Sequence, residues 1–415
     1  RADGTLWAWG LNNTGQLGTG TTADQATPVQ VGTATTWVSV AAGYGYTVAL
    51  RQDGTLWAWG HNLFGQLGLG TIDDRLVPTQ VGTATTWASV STGYGHTLAL
   101  RQDGTLWAWG LNNYGQLGTG ATQNVPTQVG TDTWQSLAAG SYYSVAVRQD
   151  GTLWAWGQND HGQLGLGNTT TQPAPTQVGT ATTWQAVAAG YGHTLALRQN
   201  STLWAWGLNN YGQLGTGLGV ADQRTPAQVG TATTWRSLAV GSTHSLALDA
   251  TGTLWAWGFN YYGQLGTGTT THQPAPVQVA GGGTWASLAA GAGHTIALRP
   301  DGSLWAWGFN NYGQLGSNTA VNPLPIYVPA GGLLLATTPG KYLSDWQLAP
   351  NPAHDQVQLR GLPAGPVAVV LLDSQGRRLR TATTATVPLA GLAPGLYLVR
   401  ATVGGTTRTL RLSVE

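Results

Sequence analysis

Short apolar runs alternate with Gly, Asn, Asp and Pro along most of the chain, and no window carries a sustained helical period. One stretch shows the pattern. Pro78-Thr-Gln-Val81 is followed by Gly82–Trp87, Ala88-Ser-Val-Ser-Thr-Gly93, Tyr94-Gly-His-Thr-Leu-Ala-Leu100, Arg101-Gln-Asp-Gly104 and Thr105-Leu-Trp-Ala-Trp-Gly110. This reads as four short strands split by turn residues. Asp103-Gly104 between two apolar runs predicts a tight hairpin, because Gly supplies the positive φ. In the last strand Leu106 and Ala108 point one way, and Trp107 and Trp109 the other. A sheet apolar on both faces needs a neighbour on each. Identical sheets stacked around an axis provide that, so the fold class expected is all-β, a β-propeller.

The pattern repeats. The glycine closing Trp-Ala-Trp-Gly falls at Gly10, Gly60, Gly110, Gly157, Gly207, Gly258 and Gly308, at spacings of 50, 50, 47, 50, 51 and 50 residues. Such a period marks a repeat architecture of about 50 residues per blade. Asp-Gly recurs at residues 3, 53, 103, 150 and 301, with Asn200-Ser201 and Ala250-Thr251-Gly252 in the other two units. The indoles of the repeated strand are read as packing between blades, not as a binding box. Six more (Trp37, Trp87, Trp134, Trp184, Trp235, Trp285) open the following units, and Trp346 stands outside the pattern.

Composition narrows the function. Among 415 residues, 17 Lys and Arg balance 16 Asp and Glu, which gives no basic stripe for nucleic acid. Only 8% are charged, yet 21 Trp and 14 Tyr can bury enough area to fold. The absence of Cys rules out disulfides, thiolate metal sites and a cysteine nucleophile. Met is also absent, even at position 1, so a processed chain or a fragment is expected. No apolar run reaches the length of a membrane-spanning helix, so no transmembrane segment is expected.

Ala-Gly-x-x-His-Thr-x-Ala-Leu followed by Asp-Gly-x-Leu-Trp-x-Trp-Gly-x-Asn-x-x-Gly-Gln-Leu-Gly resembles the regulator of chromosome condensation repeat family over residues 1 to about 330. The resemblance implies a seven-bladed propeller, here assigned to 1–338. The Trp-Ala-Trp-Gly strand occurs seven times, but the Ala-Gly-x-x-His segment only six, closing at Gly43, Gly93, Gly140, Gly190, Gly241 and Gly291. A shared seventh blade is therefore expected, residues 5–9 joining Pro325-Ile-Tyr-Val328 and Leu333-Leu-Leu-Ala336, with upstream truncation as the other option.

Residues 339–345 read as a linker, and 346–415 change character. Seven Arg and short alternating runs such as Val367–Leu372 and Leu396–Val399 predict a small immunoglobulin-like β-sandwich. Pro350, Asn351 and Pro352, then Asp373 and Gly376, then Gly395 and Tyr397, before the terminal Thr409–Val414, resemble in that order the C-terminal sorting domain of type IX secretion. The resemblance implies contact with that secretion machinery, and a protein secreted or held on the outer surface of a Gram-negative cell.

Candidate chemistry is sparse. His96, His193, His244 and His294 recur in the motif, with Tyr46 and Tyr143 in two units. A group copied around a ring and exchanged for Tyr reads as a structural tie on the Ala-Gly turn. The Asp residues are accounted for by turns, Asp73-Asp74 lacks companion ligands, and Gly-Gln-Leu-Gly lacks the Lys of a phosphate loop. No catalytic residues, metal site or cofactor are expected. Arg51, Arg101, Arg148, Arg198 and Arg299 read as solvated or paired with nearby Asp, and the recurring Asn62 and its equivalents as loop scaffolding. Strand alternation places the Ala-Gly-x-x-His turns and Trp-Gly-x-Asn loops on one face. Its variable positions are aromatic: Tyr44, Tyr94, Tyr142 and Tyr191 in the turns, and Phe64, Tyr114, His161, Tyr211, Tyr262 and Tyr312 in the loops. Rigid aromatic rings suit a protein or glycan ligand, unless they merely cap neighbouring loops. A non-enzymatic binding scaffold is therefore the expected function. The rivals are guanine-nucleotide exchange, which the family's namesake performs, and a cell-surface lyase or hydrolase. A plant photoreceptor relative is a further reading, but its additional tryptophans are replaced here by Tyr-Gly.

Overall fold

The structure is a computed structural model, and it describes residues 1–217, 219, 221–317, 321–328, 347–349, 353–360, 366–373, 377–403 and 406–414. The chain divides into two compact units, Arg1–Ala336 and Thr337–Glu415.

In the first unit the strand pattern becomes a series of antiparallel sheets. The type sheet runs Trp37–Ala42, Tyr46–Arg51, Leu56–Gly60, Arg75–Gln80, each strand bonded to the next in chain order. Its central hairpin is set by local chemistry. Asp53 Oδ1 accepts from the Thr55 amide at 3.0 Å and from the Thr55 hydroxyl at 2.7 Å. Gly54 has φ +77° and lies so close to the Thr85 carbonyl that a Cβ would stand 2.1 Å from its oxygen. Only glycine satisfies both conditions. Three later sheets, over residues 184–228, 235–278 and 287–327, repeat this order.

The two remaining units, 87–128 and 134–177, are joined into one seven-stranded sheet by a strand running unbroken from Gln123 to Ala139. This is the unit with the 47-residue spacing. Its Val129-Gly-Thr-Asp-Thr-Trp134 is one residue shorter than Val178-Gly-Thr-Ala-Thr-Thr-Trp184, so the expected bend becomes extended backbone.

Leu106, Ala108 and Trp109 are buried, with Trp107 half-buried. Each sheet seats its inner tryptophan against its neighbour: Trp109 joins the cluster of Tyr46, Val48, Leu56 and Trp87 that belongs mostly to the preceding sheet. The ring also closes. Trp9 Nε1 donates to the Gln314 carbonyl at 3.0 Å, as Trp59 does to Gln16, which joins residues 305 positions apart.

The seam differs from expectation. Asn322–Tyr327 pairs with Leu304–Gly308 in the last full sheet, and does not join residues 5–9. Trp7–Gly10 pairs instead with Gln25–Gln30, the outer strand of its own unit. The proposed partner 333–336 lies outside the described residues.

The second unit holds a three-stranded sheet (Gln347–Ala349, Gln356–Arg360, Thr386–Pro388) and a four-stranded sheet in the order Arg378–Ala382, Val367–Leu372, Gly395–Val403, Thr406–Val414. Val357 and Leu359 of one share a buried core with Val369, Leu371, Val399 and Leu412 of the other. Pro350, Asn351, Pro352 and Gly376 lie outside the described residues. Asp373 accepts from the Arg377 amide and guanidinium, and the Tyr397 hydroxyl donates to the Ala393 carbonyl.

Candidate functional site

The loop face is built on three repeated side chains. The Asn62 amide group donates to the carbonyls of Thr71 and Asp73 and accepts from the Leu67 amide, all within 3.0 Å. The Asp74 carboxylate accepts from the Asn62 backbone, and Gln66 Oε1 from that of Phe64. These bonds make the surface loop of residues 61–74 rigid without any regular structure. The recurring Asn is thus scaffolding, as expected.

Gln66 then ties the loop to the next sheet. Its carbonyl accepts from Trp109 Nε1 and from the Thr97 hydroxyl, both at 2.9 Å. Gln16, Gln116, Gln163 and Gln264 repeat the arrangement.

The histidines complete the tie, in a different way from the expected bond to the Ala-Gly turn. His96 lies under Gly93, but its Nε2 is 3.1 Å from the Ser144 hydroxyl of the following unit. That hydroxyl already donates to the Gln116 carbonyl at 2.7 Å, so Nε2 must carry the proton. Nδ1 is left bare, buried and without a partner. His193 with Ser245, and His244 with Thr295, repeat this geometry. Burial pushes the pKa of His96, His193 and His244 down to about 3. Tyr46 and Tyr143 do the same work towards the following unit with a different acceptor, their hydroxyls donating to the His96 and His193 carbonyls.

On this frame the turns follow one another around the axis. The Tyr44 amide donates to the Gly93 carbonyl, Tyr94 to Ser141, Ser141 to Gly190 and Tyr191 to Ser242. Four of the predicted aromatics thereby come together. Tyr44 stacks on Tyr94 with centroids 4.6 Å apart, Tyr94 meets Tyr142 at 5.1 Å, and Tyr142 meets Tyr114 at 5.6 Å. Partial burial and the neighbouring Tyr94, Tyr191 and Tyr114 raise the Tyr142 pKa. Tyr44 is 66% exposed and Tyr114 38%, with Tyr94 and Tyr142 half-buried between them, so the arc faces solvent at its two ends.

Tyr211, Tyr262 and Tyr312 belong to a second cluster, held together by Phe259 and Phe309. Sequence reasoning passed over both Phe, whose position holds Leu, His or Gln in the other units, and Tyr261, which is 67% exposed where other units mostly carry Asn. The signal available was the aromatic in a column otherwise aliphatic or polar. Phe64 and His161 join neither cluster. Phe64 rests over Gly95 of the following unit, and His161 Nδ1 is 3.0 Å from Asp222 Oδ2. For these two, capping a neighbouring loop describes the contact.

The opposite face corrects the reading of the arginines. Each guanidinium sits against two indoles: Arg51 lies 3.8 Å from the ring centre of Trp57 and 4.6 Å from that of Trp37. Arg101, Arg148, Arg198 and Arg299 repeat this. Stacking on electron-rich rings holds these cations, and among the described residues the turn Asp act on them only through electrostatic attraction, without a hydrogen bond. Only Arg148 forms an ion pair within the set, with Asp132. Among the described residues no three His, Asp or Glu gather as a metal site, and no helix is long and apolar enough to cross a membrane.

The geometry can be set beside known proteins. The regulator of chromosome condensation (RCC1) repeat matches residues 3–50, 53–100, 103–147, 150–197, 200–248, 251–298 and 301–332. Human WBSCR16 is similar at 23% identity and a TM-score of 0.72, over 79% of this chain and 94% of that one. Prp20p from Saccharomyces cerevisiae, studied for its binding to Gsp1p and histones, is similar at 24% identity and a TM-score of 0.69, over 78% and 85%. At such identity the likeness to these structures concerns the fold. Seven matched repeats, together with the bolted ring they build, place the chain in the RCC1 repeat family, as an all-β propeller of about seven repeats.

Proposed function

We propose that the propeller is a non-enzymatic scaffold that grips a protein partner through its aromatic loop face. The observation that carries the reading is the solvent-facing arc Tyr44, Tyr94, Tyr142, Tyr114, with Tyr191 beside it, mounted on loops that neighbouring sheets bolt down. Its composition supports a protein ligand. The turns supply Tyr, Ser, Gly and Asn, the residues that give antibody loops large contact area at low entropy cost. Rigid presentation lowers the ordering cost of binding further. The yeast relative Prp20 has been crystallised with Kap60 bound, so a protein of similar fold takes a protein partner.

The test is affinity capture by the full chain from the native extracellular surroundings, beside the variant Tyr44→Ser/Tyr94→Ser/Tyr191→Ser. A specific protein retained by the parent and lost by the variant is expected. Equal capture by both, or retention of glycans alone, would sink the reading. Guanine-nucleotide exchange is the rival. The matched residues here are scaffold residues, so a nucleotide-release assay is expected to show no acceleration.

The second unit is read as an immunoglobulin-like sorting domain that exports the propeller to the outer surface of a Gram-negative cell. The order of its sequence landmarks and the two sheets on one core support this. Deletion of 346–415 should leave the protein in the periplasm, and normal export without that segment would refute it.

A further inference from the structure

Between the sheets of residues 134–177 and 184–228 lies a cleft of about 450 Å³, remote from the tyrosine arc. Arg198 lies in its wall, its guanidinium 4.0 Å from the ring centre of Trp204 and 4.4 Å from that of Trp184. Among the described residues it has no carboxylate and no hydrogen-bond acceptor. Its Nε is buried without a partner, as is the indole N–H of Trp184, a feature shared with the stacks of Arg51, Arg101 and Arg148; what sets Arg198 apart is that lack of both a carboxylate and an acceptor for the rest of its guanidinium. Burial lowers the Arg198 pKa. The half-buried guanidinium, with no carboxylate beside it, keeps donor groups free for an anion that enters the cleft.

The chain itself shows which anion. In the preceding unit Arg148 stands in the same Trp-Arg-Trp stack, and there Asp132 bonds it. Counted from the shared Val-Gly, Asp132 takes the place of Ala181, which lines the Arg198 cleft. Other units relieve their arginines differently. Arg299 donates to the carbonyls of Gly281 and Gly282, and Asp249 replaces the arginine in another. Arg51 and Arg101 have the turn carboxylates Asp53 and Asp103 in electrostatic range. Arg198 has Asn200 at that position, and no such relief.

A carboxylate alone leaves most of the cleft unused. The half-buried indole of Trp204 offers an apolar wall, and exposed Gln177, Thr180 and Thr225 offer amide and hydroxyl groups around it. That combination matches a polyhydroxylated sugar ring with an apolar C–H face and one carboxylate, at a volume ordinary for small-ligand sites. We propose that the Arg198 cleft binds a hexuronic acid residue of an acidic polysaccharide, its carboxylate on Arg198 and its ring against Trp204.

The experiment is calorimetric titration of the full chain with a hexuronate disaccharide, the neutral disaccharide of the same linkage, and N-acetylglutamate amide. Saturable one-to-one binding of the hexuronate alone is expected. Arg198→Gln should weaken it about tenfold or more, the loss of a charge-assisted bond. Ala181→Asp, which copies Asp132 into the cleft, should weaken it similarly while the fold, checked by thermal melting, persists. Arg148→Gln, in the neighbouring stack, should leave it unchanged. Absent saturation, equal binding of the neutral sugar or the glutamate amide, or full affinity in Ala181→Asp, would overturn the proposal.

Discussion

Lowering the pH should open this ring well before its carboxylates protonate. His96, His193 and His244 are fully buried and neutral, with pKa about 3, whereas an unfolded His titrates near 6.5. The bare Nδ1 explains the depression: a proton there would meet neither water nor an acceptor. Because the folded pKa is the lower one, the unfolded chain binds protons first as pH falls. Stability from these groups is therefore complete above about pH 6.5 and is lost progressively towards pH 3. Each His contributes a slope of about 1.4 kcal/mol per pH unit, so three give about 4. At pH 4.5 the loss is about 8 kcal/mol, on the scale of the whole stability of a domain. His294 keeps some exposure and is left out of this figure. The assay is urea denaturation between pH 7.5 and 4.5, followed by tryptophan fluorescence. The comparison is His96→Tyr/His193→Tyr/His244→Tyr, since Tyr46 and Tyr143 already fill this position and keep the bond between sheets. The parent's midpoint should fall steeply, and the variant's much less so, because only His294, whose burial lowers its pKa to about 4, still binds protons preferentially in the unfolded chain. A flat parent curve, or the same slope in both proteins, would refute the reasoning.

Three further outcomes are expected. Trp206→Ala removes a fully buried indole and its bond to Gln163, and should cost about 3–5 kcal/mol by denaturant melting. Gly54→Ala meets both a positive φ and the Thr85 carbonyl, so it should lower stability by more than the ~1 kcal/mol of an ordinary Gly replacement, whereas Gly32→Ala, with open space around it, should cost less. Asn62→Ala should release the 61–74 loop to limited proteolysis while melting of the ring shifts by only about 1–3 kcal/mol, the scale of lost buried hydrogen bonds.

The propeller was legible because its signals are local and repeated. Asp53-Gly54 makes a hairpin whatever surrounds it, and a strand reading Leu-Trp-Ala-Trp is apolar on both faces wherever it sits. Seven copies of one such unit cannot bury themselves singly, so stacking follows from the sequence. The placement of the tyrosines on one face was likewise legible, since strand alternation assigns turns to ends. The seam was not. Asn322–Tyr327 carries the pattern of an outer strand, and which sheet an outer strand joins depends on where Leu304–Gly308 already lies.

The amino-acid sequence alone determined the repeat, the four-strand unit and the character of each face, because hydrophobic period and turn chemistry act over a few residues. Tertiary structure decided which groups meet across blades. It set His96 against Ser144, joined Tyr44 to Tyr94, and bonded Arg148 to Asp132 while giving Arg198 only indoles. The first two of these contacts join residues about 50 positions apart, and all depend on the angle and distance at which sheets pack, which no local pattern encodes.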